Sequence, residues 1–361
     1  MTDFSLNVNQ TKYGGWKSLS ITKSLDQLAQ SFDVGFSDQW SDQEERIPIV
    51  AGNEVTVDYG SQTIITGYVD DDSSNYSSSG RSLTIKGRSK TGDLVDCAAV
   101  KEDGTRQWRK VGLRKIAEDI CDPFGIDVLA AANLGGLFRR FTIEEGETAF
   151  NLLQRAARMR GLLILTNADG DLVFSRVGTT TIGTTLKLGE NILGCNHQRS
   201  MRNRFSQYTV NCQTAGTDET ADSPKNVTLS AMSEDDGVGR YRPTVIMADN
   251  EDRGDELQTR ADWERNVRAG ESRSFAYTVR GWEHDNGLWE PNTLVRVVDD
   301  YNWLDAELLI AEVTFSRSEA GTTTVLTLKA KEAYDVQPLF PPAKPASQKK
   351  KSNVLGGWLA S

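Results

Sequence analysis

Between Asn53 and Arg88 the chain alternates apolar and polar residues. Val55, Val57 and Tyr59 fall on one side and Glu54, Thr56 and Asp58 on the other, the pattern of a half-buried antiparallel strand. A turn at Gly60-Ser61, the segment Thr63–Val69, a polar and Ser-rich loop from Asp70 to Ser79, and Gly80–Arg88 complete three predicted strands. The same rhythm returns near the other end, in Asn292–Asp299, Leu308–Phe315 and Gly321–Lys331. Leu83-Thr-Ile-Lys-Gly-Arg88 lies over Leu326-Thr-Leu-Lys-Ala-Lys331 almost residue for residue. A duplicated small antiparallel β-barrel is therefore predicted.

The segments around these copies read in order. Thr2–Gly15 is polar and suits an arm or an edge strand, and Trp16–Thr22 alternates as a strand. Ser24-Leu-Asp-Gln27 has capping-box spacing and predicts one helical turn, before Phe32, Val34 and Phe36 return to period 2. From Ser89 the period changes. Apolar residues at Trp108, Val111, Leu113, Ile116, Ala117 and Ile120 predict a helix over 108–120, stopped by Pro123 and Gly125. Thr148 is placed to cap a helix over 149–160 that Gly161 closes, and Asp169-Gly170 predicts a two-residue hairpin turn between Leu162 and Ser175.

Strand patterns over 185–215, including Arg204–Gln213, are expected to open the second barrel. An acidic, loop-rich stretch with one helix near Asp255–Arg268 then interrupts it, until Ser274–Arg280 resumes it. The tail after Asp335 carries Pro338, Pro341, Pro342 and Pro345, then Lys349–Lys351 and the apolar Val354–Leu359; it is expected to be flexible or held by a neighbour. The fold class is α+β multidomain and β-rich. Expected boundaries are 1–90 for the first barrel, 91–178 for an α/β domain, 179–216 with 274–335 for the second barrel, 217–273 for an inserted acidic subdomain, and 336–361 for the tail.

A chain of 361 residues can bury several cores, which fits two to four domains. The longest aliphatic run, Leu162–Leu165, is far too short to cross a bilayer, and Met1–Phe4 has neither a basic start nor an apolar stretch, so synthesis and assembly in the cytoplasm are expected. Cys97, Cys121, Cys195 and Cys212 show no paired spacing and read as free thiols. The net charge of -10 argues against tight non-specific nucleic-acid binding, while a wall past which DNA slides would benefit from that sign.

Chemical candidates are few. Gly87–Gly92 lacks the Gly-Lys-Ser/Thr ending of a phosphate loop. Cys195, His197 and Cys212 offer three zinc-ligand types without the close pairs of a structural site. His197 and His284, the only histidines, stand in no nucleophile-elbow context. Glu144, Glu145 and Glu147 suggest a glycosidase pair or, more simply, acids at the positive end of a helix dipole. Trp263, Trp282, Trp289 and Trp303 suggest a sugar platform or an interface. No residue is assigned as catalytic, cofactor-binding or metal-binding, and the sequons at Asn75 and Asn226 are read as chance.

Phe141-Thr-Ile-Glu-Glu-Gly-Glu-Thr-Ala-Phe-Asn-Leu-Leu-Gln-Arg-Ala-Ala, followed by Gly161–Phe174, resembles the middle of the baseplate hub proteins of contractile phage tails. Ser20–Phe32, Gly189-Glu-Asn-Ile-Leu and Ser206-Gln-Tyr-Thr-Val resemble the same family, nearest the Mu-type tail protein P; late-control D proteins and the bases of type VI secretion spikes are more distant. The resemblance implies a structural homotrimer in the virion baseplate, its paired barrels forming a ring of pseudo-sixfold symmetry. Implied partners are the hexameric tail tube, the trimeric central spike and a tape-measure protein, with DNA passing through the channel unbound and no stable membrane insertion. A tail-associated cell-wall glycosidase and a monomeric glycan-binding β protein are the alternatives.

Overall fold

The computed structural model describes residues 3–37, 47–78, 80–215, 226–248, 254–319 and 321–336. Its principal feature is a sheet built from two sets of six strands. The first set is β1 (Phe4–Val8), β2 (Ser18–Ser24), β3 (Ser31–Ser37), β4 (Glu54–Tyr59), β5 (Gln62–Ser77) and β6 (Gly80–Ser89). The second is β7 (Thr181–Lys187), β8 (Ile192–Arg199), β9 (Arg273–Arg280), β10 (Leu294–Asp299), β11 (Leu304–Ser318) and β12 (Gly321–Lys329). The first set has the spatial order β2-β3-β6-β5-β4-β1 and the second β8-β9-β12-β11-β10-β7, so each strand has its counterpart six labels later. A short strand, Thr11–Tyr13, extends the sheet beyond β1. The copies differ in one sense: β1 runs antiparallel to β4, whereas β7 runs parallel to β10.

The register of the two copies is fixed by their irregularities. The β5–β6 hairpin closes at Ser77 opposite Gly80 and the β11–β12 hairpin at Ser318 opposite Gly321, both 241 residues further on (318 less 77, 321 less 80). Each long strand also carries a bulge with one extra residue, Asp70 in β5 and Ala311 in β11, again 241 apart. Ile85 thus corresponds to Leu326. The match of Leu83–Arg88 to Leu326–Lys331 expected from sequence is two positions out, a shift that leaves every side chain on its original face.

The expected pair of separate barrels is not what forms: no sheet closes on itself among the described residues, and both copies belong to one continuous sheet. The cause lies in β11. Before its bulge it pairs with β10; beyond it, Glu312–Arg317 pairs with Leu19–Ser24 of β2. One apolar core consequently runs through both copies, and at their junction Phe315 lies 5.7 Å from Phe4, which also meets Trp282 edge-on at 4.7 Å.

A second core gathers residues from 94 to 174 around helices α1 (Leu113–Cys121) and α2 (Ala149–Arg158). Trp108, expected on a helix, lies in a strand (Gln107–Val111) paired with Phe138–Thr142, and the helix begins only after the extended Gly112. Thr148 caps α2 as expected, its hydroxyl accepting from the Asn151 N–H at 3.2 Å, and Gly161 follows at φ +66°. The helical turn expected at Ser24 is absent; Ser24 Oγ accepts from the Asp26 N–H, and Leu28 is drawn into the α/β core instead. The hairpin Leu163–Thr166 with Leu172–Ser175 forms, but its loop is longer than two residues, with the Asn167 N–H donating to the Asp171 carbonyl and Gly170 at φ +83°.

The strand Gln207–Ala215, expected in the second barrel, pairs with Asn226–Glu234 and Pro243–Met247 in a separate three-stranded sheet. Helix α3 (Gly254–Glu271) packs Leu257 and Ala261 against Val210 and Cys212 of that sheet. Gln207–Ala215 thus belongs to this smaller sheet and not to the large one.

Candidate assembly surfaces

The structure disperses the chemical candidates. Cys195 and His197 share β8, while Cys212 is buried in the inserted sheet's own core, and no cluster of three metal-ligand side chains occurs among the described residues. His197 stacks flat on Phe275 at 4.4 Å, and burial together with the Arg273 and Arg199 charges pushes its pKa down. His284 accepts from the Asn286 N–H and lies beside Trp289. In Gly87–Gly92, Arg88 bridges Asp70 and Asp96, each at 2.6 Å, so its charge is already used.

The three glutamates are engaged with arginines. Arg155 on α2 clasps Glu147 at 2.8 Å, and the Glu144 N–H donates to the same carboxylate at 3.0 Å. Burial pushes the Glu147 carboxyl up, but these bonds outweigh it and hold the group below its ordinary value, the reverse of what a general acid needs. Glu145 pairs with Arg106. The tryptophans do not converge either: Trp282 and Trp289 are core residues, and Trp263 on α3 donates to the Asp335 carbonyl at 2.8 Å. Lys349–Lys351 and Trp358 lie outside the described residues.

What the fold exposes is strand edge and aromatic surface. β8 is one end of the sheet, and apart from a single bridge between Leu188 and Ile192 its outer edge carries no partner among the described residues. β5 pairs with β4 as far as Tyr68, and its far half, Asp70–Ser77, has β6 as its one strand partner among the described residues. That half is mostly exposed, with Tyr76 at 82%. Next to β8, the β10–β11 turn displays Tyr301 and Trp303, the latter 92% exposed.

This turn is held firmly. Asp299, almost fully buried, accepts from the Tyr277 hydroxyl at 2.8 Å and from Asn302 Nδ2 at 2.7 Å, and Asn302 Nδ2 lies 3.7 Å from Cys195 Sγ on β8. Burial raises the Asp299 carboxyl, yet these bonds leave it below its ordinary value. Trp303 sits in the left-handed region at φ 50°, uncommon for a bulky residue. Sequence reading grouped Trp303 with the other tryptophans; the turn-forming run Asp299-Asp-Tyr-Asn302 was the available sign that it stands apart.

Open strand edges and a duplicated sheet are features suited to assembly, and the carboxylates described above are held in ion pairs. Comparison with known proteins gives the class. Residues 3–89 match the Mu phage baseplate assembly protein GpP-like N-terminal domain, and 91–176 match the second domain of baseplate hub protein gp44-like. Residues 204–263 match the third domain of tail protein NMB1110-like, and 254–337 the fourth domain of the Mu phage baseplate assembly protein GpP.

The chain is 34% identical to baseplate hub protein gp44 of Escherichia phage Mu over 340 residues, 91% of this chain and 88% of that one. The 43 kDa tail protein of prophage MuSo2 from Shewanella oneidensis superposes with a TM-score of 0.82 at 36% identity, covering 92% of this chain and 99% of that one. The tail protein from Neisseria meningitidis MC58 shares the fold, with a TM-score of 0.75 at 24% identity over 93% and 99% of the two chains. The protein belongs to the Mu-like phage baseplate hub family, a structural tail component and not an enzyme.

Proposed function

We propose that the chain works as a homotrimeric hub that adapts the hexameric tail tube to the trimeric central spike and surrounds the channel through which DNA leaves. The observation that carries this reading is the internal duplication: one chain holds two six-strand copies with the same strand order and the same bulge and hairpin positions. Three such chains offer six near-equivalent units on one side, while the unduplicated α/β and inserted units, offered three times, keep threefold symmetry for the spike. The Mu relative's designation as a baseplate hub supports the location. The net charge of -10 suits a wall that DNA passes without sticking. The division into two sheet copies, an α/β unit, an inserted unit and a tail follows the same logic.

Light scattering on the purified protein tests the reading. Three chains of 39.9 kDa give about 120 kDa, the expected mass. A value that stays near one chain across the micromolar range would overturn the trimer.

A further inference from the structure

We propose that successive copies of the chain join by strand addition, the far half of β5 in one copy pairing antiparallel with the outer edge of β8 in the next. This rests on the trimeric reading and names the surface that makes the trimer.

Within one chain the second copy is joined to the first by β11 beyond its bulge, lying against β2. β5 is the counterpart of β11, and β8 the counterpart of β2. The counterpart of the internal joint is thus β5 on β8, and among the described residues of one chain these two strands, which lie in different copies, are not paired with each other. Repeating the internal joint between chains turns an alternation of two copies into a head-to-tail series, which forms a ring when its rotation closes.

The register follows from the equivalences. In the internal joint Val313, Phe315, Ser316 and Arg317 oppose Lys23, Ile21, Ser20 and Leu19. Residues of β5 stand 241 before those of β11. Phe275 pairs with Leu328 as Phe32 does with Gly87, and His197 pairs with Phe275 as Ile21 does with Phe32. His197 therefore takes the place of Ile21. The joint between chains sets Asp72 opposite Arg199, Ser74 opposite His197, Asn75 opposite Asn196, and Tyr76 opposite Cys195.

Three independent features agree with that register. Asp72, which accepts from the Ala51 N–H, faces an exposed arginine of opposite charge. Ser74 comes beside His197, whose Nε2, buried in its own chain, has no hydrogen-bond partner among the described residues. Tyr76 arrives beside Cys195, next to the turn that displays Tyr301 and Trp303, so the exposed aromatics of both copies meet at one place.

Cross-linking reads the register directly. In a Cys97→Ser background, Tyr76→Cys places a thiol opposite native Cys195 of the next chain. A second variant, Asn75→Cys with Asn196→Cys and Cys195→Ser, tests the adjacent pair; neighbouring antiparallel pairs alternate between Cα spacings of about 4.5 and 5.5 Å, both within reach of a disulfide. Mild oxidation is expected to give reducible dimer and trimer bands in both, and Cys195→Ser to abolish them in the first. Arg199→Asp is expected to weaken association about tenfold, and adding Asp72→Lys to recover most of it.

Mass measurement on the same samples separates the two readings. A trimer by light scattering that yields only monomer on the non-reducing gel overturns the β5–β8 joint and leaves the hub intact. A protein that stays monomeric and uncross-linked overturns both.

Discussion

The two sheet copies share a topology but differ at the strand that leaves each of them. Beyond its bulge β11 is apolar where it must be: Val313 and Phe315 are fully buried, and the junction they make with β2 is part of the chain's main core. The corresponding positions of β5 are Asp72 and Ser74, in a half that faces solvent. The lesson is that one backbone arrangement serves two purposes, chosen by side chains. An apolar strand fuses copies inside a chain, and a polar one stays soluble with its edge exposed, which the proposed joint would cover with another chain.

The largest effect should fall at the internal junction. Phe315→Ala is expected to cost about 3–5 kcal/mol in urea unfolding, whereas Ser74→Ala should stay within about 0.5 kcal/mol. Equal losses would remove the distinction between the two joints.

A second contrast concerns how closely the strands cross. A Cβ on Gly67 would stand 1.9 Å from the Arg88 carbonyl oxygen, while the position 241 further on holds Leu308. Gly67→Ala should cost roughly 1–3 kcal/mol through backbone displacement. Leu308→Ala should cost about 2–3 kcal/mol for the opposite reason, a cavity. Thermal unfolding measures both, and a neutral Gly67→Ala would show that the first copy is less tightly crossed.

The β10–β11 turn has a buried carboxylate that the Gly60 turn lacks. Because Asp299 is held below its ordinary value, its stabilisation is complete above the unfolded-state pKa of about 3.9 and is lost as pH falls through the lower folded value. Asp299→Asn is expected to lose about 1–2 kcal/mol at pH 7, and its urea midpoint to converge on that of the parent below about pH 4. A gap that persists at pH 2 would place the effect in packing.

The smallest change should be a gain. Trp303→Asn, which relieves a left-handed backbone, is expected to raise chain stability by about 0.5–1 kcal/mol while weakening association. Stabilisation with association intact would exclude the turn from the interface.

Much of this was legible in the residues. The alternation of Val55 and Val57, the Thr148 cap and the likeness of the third strands are local signals, and each marks a real element. The fusion of the copies was not legible, because Thr22 and Thr314 are 292 residues apart and no local pattern names a strand's partner. The two-residue error in aligning Leu83 with Leu326 has the same root, since period 2 fixes the face and not the register. Tyr208, Val210 and Cys212 alternate as a core strand should, and that pattern does not say which sheet they enter. Trp108 matched helical spacing by coincidence with α1. The open edges, finally, are polar, and a polar run such as Asp70–Ser77 reads as a loop until its hairpin partner is seen.

An image reconstruction of the isolated oligomer, computed without imposed symmetry, bears most directly on the duplication. Three chains whose two sheet copies alternate around one axis at steps of about 60° are expected. Copies lying at clearly different radii, or grouped by kind instead of alternating, would contradict the idea that a single polypeptide supplies two equivalent units of the ring.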